Sequence, residues 1–211
     1  SLSQSISQYS EESLITAKDI EKKTENPMFS DLLGESTAVF AVYPTDSIPM
    51  RSAEVLYDKI SSRVNDSRLF SSVLLPYKVH EKLQLNSELA QVKEVYIETL
   101  TTVSVSDKDI SNPLGAYLNV TNFVVFMVDK WPCFDCAETG NLRMKLQLVD
   151  TQTGLIIWTA IAEQLNLKPE ELEIIDEVAN RLASRLTDSL YDTFKKKWHH
   201  KRYENLSRST G

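Results

Sequence analysis

The chain has 211 residues, of which 42% are apolar and 25% charged, with a net charge of −7. That length and apolar fraction suit one packed domain and exclude a wholly disordered chain. An acidic body argues against general nucleic-acid binding, and five glycines scattered along the chain (Gly34, Gly115, Gly140, Gly154, Gly211) exclude the clustered loops that cradle nucleotide phosphates.

Residues 1–36 are rich in Ser, Gln, Glu and Lys and read as a polar arm or tether. Leu14, Ile15 and Ile20 suit one short helix between Ser10 and Lys23. A single α/β domain is expected over 37–198, followed by a polar tail over 199–211. Its first element is a continuously apolar strand, Thr37–Tyr43, central in a sheet and ended by Pro44. Val55, Leu56, Ile60 and Val64 predict a helix from about Ser52 to Asn65. Arg68-Leu-Phe70 then leads into a second strand, Ser72–Leu75, stopped by Pro76. Leu89, Val92, Tyr96 and Leu100 share one face of a helix from about Asn86 to Thr102, with Ser87 as its N-cap. The β-branched end of that stretch makes a strand over Val95–Val105 the rival reading.

Ala116–Val128, rich in Val, Phe and Tyr, predicts the longest strand, with Gly115 just ahead of it. Leu142, Met144, Leu146 and Leu148 alternate with Arg143, Lys145 and Gln147, the mark of a half-buried antiparallel strand. Asp150-Thr-Gln-Thr-Gly154 supplies a hairpin turn into a returning strand, Leu155–Ala162. From about Pro169, Leu172, Ile175, Ala179, Leu182, Leu186, Leu190 and Phe194 recur at helical spacing. The order β-α-β-α-β-β-β-α predicts a mixed five-stranded sheet with helices packed on it and a long C-terminal helix.

Four stretches in this order resemble a group of bacterial envelope domains. They are Ala38-Val-Phe-Ala-Val-Tyr-Pro44, Ser67-Arg-Leu-Phe-Ser-Ser-Val73, Leu114-Gly-Ala-Tyr-Leu-Asn-Val120 and Leu146-Gln-Leu-Val-Asp-Thr-Gln-Thr-Gly-Leu-Ile-Ile-Trp158. The group comprises the N-terminal domain of the Tol-system propeller protein, the curli-secretion lipoprotein and related small outer-membrane lipoproteins. The likeness spans about residues 37–195. The last stretch is similar to the group's "Leu-x-Leu-x-Asp-x-x-Thr-Gly-x-x-x-Trp" hairpin. Tyr117 departs from the pattern, since the group usually has Asp after the Gly-Ala pair. The resemblance implies a non-enzymatic periplasmic lipoprotein, anchored to the outer membrane by a lipid and working with other envelope proteins in assembly or secretion. It leaves room for a homo-oligomeric ring. It carries over no catalytic residue, cofactor or metal ligand, and implies membrane contact through the lipid anchor only.

Outside that resemblance, two local motifs invite chemistry. Cys133-Phe-Asp-Cys136 beside Trp131 has the C-x-x-C spacing of redox and zinc sites. A redox pair opens a helix, however, and this one precedes an alternating strand, with Asp135 and Glu138 raising rather than lowering the thiol pKa values. A hairpin-tip disulfide or two free thiols is the favoured reading, and a thiol-active protein the alternative. Zinc would need His80, or His199 and His200, brought in by the fold. His80 is expected in a solvated loop after Pro76. The basic run containing Lys195, Lys196, Lys197, Trp198, Lys201 and Arg202 suits contact with an anionic surface. The favoured reading is the end of a helix, where cations complement the dipole. A soluble ligand-binding domain is the remaining alternative. No apolar run approaches the length of a membrane-spanning helix.

Overall fold

The computed structural model describes residues 15–17, 21–25, 33–43, 48–133 and 140–209. In chain order the elements are β1 (Ile15–Ala17), β2 (Glu21–Glu25), β3 (Ser36–Val42), α1 (Met50–Asp66), β4 (Ser72–Leu74), α2 (Pro76–Gln84), α3 (Ser87–Val103), α4 (Lys108–Leu118), β5 (Asn122–Lys130), β6 (Leu142–Asp150), β7 (Ile156–Gln164), α5 (Pro169–Glu173) and α6 (Ile175–Ser209). Strands β4-β3-β5-β6-β7 form the expected mixed five-stranded sheet, and β2 and β1 extend it past β7. β3 is parallel to β4 and β5, whereas β5, β6 and β7 form an antiparallel meander.

The helices cover both faces. On one, α1 and α6 bury Leu56, Ile60, Leu182, Leu186 and Phe194 against Val39, Phe126, Leu146 and Trp158. On the other, α2, α3 and α4 bury Val79, Ile97 and Leu114 against Phe40, Phe123 and Val125. Each fully buried aliphatic side chain stabilises by about 1.5–3 kcal/mol. The alternating strand β6 is therefore not half-solvated. Arg143 and Lys145 are half-buried, and Gln147 is 1% exposed. Lys145 Nζ donates to the Thr101 carbonyl at the end of α3 (3.1 Å). Burial lowers its pKa, with Asp129 opposing.

Four local expectations are corrected. The stretch between Ser10 and Lys23 holds no helix among its described residues: β1 and β2 form an antiparallel pair, and β2 borrows its register from β7. The long strand over Ala116–Val128 is divided, because Leu114-Gly-Ala-Tyr-Leu118 closes α4. Asp107 accepts from the Asp109 amide to start that helix, and Asn119, left-handed at φ 56, ends it. Pro76 does not merely stop a strand. It occupies the first turn of α2, where its missing N–H and fixed φ cost nothing, so His80 lies on a helix and not in a loop. The N-cap of α3 is Asn86, which accepts from the Leu89 amide (3.1 Å), and not Ser87.

The final helix is longer than its apolar stripe suggests. α5 is a separate turn, and α6 continues to Ser209 through the stretch expected as a tail. Arg63 of α1 ties to α6 through Thr187 Oγ1 (2.6 Å) and an ion pair with Asp188.

Candidate functional site

β3 and β4 differ in length, and the difference makes a cleft. β4 pairs only with Ser36–Ala38 before Pro76 turns the chain into α2. β3 continues to Val42. Where a longer β4 would lie, there is an open groove of about 770 Å³. The upper half of β3 and the residue after it, Val39–Tyr43, form its base. Val79, Leu83 and Ile97 of α2 and α3 line one side, and Tyr57 of α1 borders it too.

Main-chain polarity follows from the register. The Ser72 amide donates to the Glu35 carbonyl (3.2 Å), and the Thr121 amide donates to the Ser36 carbonyl (3.2 Å). Odd-numbered residues of β3 thus point their main-chain groups toward β4 and even-numbered ones toward β5. Past the end of β4, the Val39 carbonyl and the Ala41 N–H and carbonyl face the groove. They have no main-chain partner among the described residues.

The side chains around this edge are mostly neutral. Tyr43 packs edge-on against Phe126, with centroids 6.3 Å apart, and its Oη is buried without a hydrogen-bond partner. Burial raises the Tyr43 pKa, and Tyr57 and Asp58 add to the rise. The Tyr57 pKa is also raised, first by burial, against an opposing bond to the Tyr77 main chain. His80 stands at the rim, its Nε2 3.1 Å from the Gln84 amide nitrogen. Lys93 and Glu94 pair with each other at 2.5 Å. The arrangement can bind an apolar or extended ligand. Among the described residues, the hydrogen-bond partner of His80 is the Gln84 amide.

A second feature joins two stretches that are far apart in sequence. At the β6–β7 turn, Asp150 accepts from the Thr153 amide (2.9 Å) and hydroxyl, and Gly154 takes φ +71. The turn sits on α4. The Ser111 hydroxyl donates to the Thr151 carbonyl (2.9 Å), and the Thr151 amide donates to the Thr121 carbonyl (3.0 Å). Gly115 touches this turn so closely that a Cβ there would lie 2.5 Å from Thr151 Cβ. Gly115 therefore serves helix–turn packing and not strand entry. Tyr117, the departure from the envelope pattern, donates from its Oη to the Lys82 carbonyl at the end of α2 (2.6 Å). Trp158 is buried among the α6 side chains, at the sheet–helix interface.

No protein-family model matches the chain, and no curated protein matches its sequence. Several solved structures are similar to it in part. One is PelC from Paraburkholderia phytofirmans, solved as a dodecamer: TM-score 0.44, 11% identity, covering 79% of this chain and 92% of that one. The lipoprotein GNA1162 from Neisseria meningitidis gives TM-score 0.43 and 14% identity over 72% and 99% of the two chains. The C-terminal domain of LpoB from Escherichia coli gives 0.34 and 15% over 65% and 93%. These neighbours include a bacterial lipoprotein.

The motifs singled out in the sequence do not meet at the cleft. Cys133 is exposed just past β5, after the buried pair Trp131 and Pro132, and Cys136 lies outside the described residues. Among the described residues no cysteine is free, and no group of three or more His, Cys, Asp or Glu could hold a metal ion. Lys195 pairs with Asp192 (3.2 Å) and lies 5.7 Å from the Tyr191 ring centroid. The side chains of Lys196, Lys197, Trp198, His199, His200, Lys201 and Arg202 lie outside the described residues. Their backbone is helical, and this overturns the helix-end explanation of the basic run, because α6 goes on to Ser209. Sequence reasoning missed Tyr43, Tyr57 and the open edge. The signal was the unequal length of the two apolar runs, Thr37–Tyr43 and Ser72–Leu75.

Proposed function

We propose that the chain is a non-enzymatic domain of a bacterial outer-membrane lipoprotein, acting in the periplasm as a scaffold in envelope assembly or secretion. One observation carries the reading. Two stretches chosen for their likeness to the Tol-system and curli-secretion group, Leu114–Val120 and Leu146–Trp158, are in contact through Gly115 and Thr151. A shared packing unit gives those motifs one physical purpose, and that purpose is structural. The reading assigns no catalytic residue, and the anchoring lipid is expected on a cysteine upstream of this domain.

The test is expression of the full-length gene in its own cell with labelled palmitate, followed by fractionation. Lipid-labelled protein in the outer-membrane fraction, lost when the anchoring cysteine is replaced, is the expected result. An unlabelled product confined to the cytoplasmic fraction overturns it. The groove beside β3 favours a second reading, a ligand-binding domain with no membrane role. Its signature would be the same groove in a chain that takes up no lipid.

A further inference from the structure

We propose that the open half of β3 is a strand-addition site whose occupant is the segment Ser1–Tyr9 of a second copy of this chain. The inference stands independently of the envelope reading.

Natural sheets blunt exposed edges with charges, prolines or bulges, because unpaired N–H and C=O groups recruit another strand. Val39-Phe-Ala-Val-Tyr43 carries none of these devices. Its outward groups, the Val39 carbonyl and both polar groups of Ala41, lie on the edge left open past β4, in a groove lined by α2 and α3 and bordered by Tyr57 of α1. Extended peptides bind such edges through main-chain ladders, and flanking pockets select alternate side chains.

A strand added to β3 presents alternate residues to the two faces of the sheet. One set meets the apolar side made by Val79, Leu83 and Ile97, and the other meets Tyr43 and Tyr57. Residues 1–9 have that alternation. Ser1, Ser3, Ser5, Ser7 and Tyr9 fall on one side, and Leu2, Gln4, Ile6 and Gln8 on the other. Leu2 and Ile6 suit the apolar side. The small serines fall on the side bordered by Tyr43 and Tyr57. The segment is uncharged, so no charge loses its water on entering.

The groove lies in the column of β4, six strand positions from β1. At about 4.8 Å per strand that is roughly 29 Å. The six steps from Tyr9 to Ile15 span at most about 21 Å. A chain cannot fill its own groove, so the segment comes from a neighbour. The contact is head-to-tail, which leads to rings where the rotation closes and to filaments where it does not.

The test combines sedimentation of the full chain over a wide concentration range with amide exchange at Ala41. Two variants go with it. Deletion of residues 1–10 removes the occupant and leaves β1 intact. Ala41→Pro removes an N–H that faces the groove and is not used by β5, a position where an edge strand accepts proline. Concentration-dependent oligomers, slowed exchange at Ala41 in the oligomer, and monomers for both variants are expected. A fluorescent peptide of residues 1–9 should bind the deletion variant, with affinity falling about tenfold or more when Ala41→Pro is added. A full chain that stays monomeric at every concentration overturns the proposal. Oligomers that survive the deletion do so too, even if Ala41→Pro fails to fold. Slow exchange at Ala41 in a monomer would mean that some other strand fills the groove, and also overturns it.

Discussion

Gly154→Ala isolates the seat of the β6–β7 turn. Two independent effects act there. At φ +71 a residue with a Cβ is in the left-handed region, at about 1–2 kcal/mol. The added Cβ would also lie 2.8 Å from Lys108 Cα and 2.9 Å from its main-chain nitrogen. Main chain cannot rotate aside, so either the turn lifts from α4 or the helix start shifts, by analogy with overpacking about 1–3 kcal/mol. The expected loss is about 2–5 kcal/mol. Gly154→Asn separates the two effects, because Asn tolerates the left-handed region but carries the same Cβ. It should lose about 1–3 kcal/mol. Urea unfolding followed by tryptophan fluorescence measures both, with the slope checked for constancy. A Gly154→Ala loss under about 0.5 kcal/mol, or a Gly154→Asn variant as stable as the parent, would refute the seating of the turn on α4.

Phe194→Ala, at the end of the buried α6 stripe, should cost about 3–5 kcal/mol, whereas Tyr191→Ala, on the exposed side of the same helix, should cost under about 1. Urea midpoints that rank them the other way would show the helix rotated. Tyr96 Oη and Ser106 Oγ share a buried hydrogen bond of 2.7 Å, so Tyr96→Phe should lose about 1–2 kcal/mol at neutral pH. Burial raises the Tyr96 pKa above its unfolded value, with Ser106 opposing and Asp107 adding to the rise. The neutral phenol's stabilisation is therefore complete below about pH 10 and is lost as pH rises above it. Alkaline melts should fall less steeply for Tyr96→Phe than for the parent; equal slopes would contradict the burial. Protein from an oxidising compartment should take up no alkylating agent at Cys133 and Cys136 until reduced, by intact mass, and should not accelerate insulin reduction. Two alkylated thiols without reductant would end the disulfide reading.

The parts of the fold legible in the sequence are those governed by a single period. Leu142–Leu148 alternates, the 172–194 stripe repeats every three or four residues, and Asp150–Gly154 has the turn chemistry its geometry demands. Each settles its own structure locally. The failures come where two signals abut. Leu114–Leu118 carries the same apolar, aromatic residues as β5, and only the cap at Asp107 and the left-handed Asn119 divide helix from strand. Pro76 ends β4 and begins α2, and read only as a stop it conceals the helix that holds His80. β2, Glu-Lys-Lys-Thr-Glu, has no apolar pattern at all, because its register comes from β7. The cleft lies further from the sequence still. It comes from a difference in length between two strands and from the parity of β3, and neither belongs to any one residue.

The length of α6 has a consequence for how its far half forms. The last side chain it buries among those described is Phe194, and from there to Ser209 the helix runs about another 22 Å. A free peptide of that length is marginal as a helix in water, because starting the first turn fixes several residues for one bond. Here the start is already made. Packing of Val178–Phe194 on the sheet supplies an ordered template, and the basic half needs only to propagate from it. The order of the lysine-rich segment is thus inherited from the core, and loosening the core at Phe194 would unwind a stretch fifteen residues beyond it in sequence.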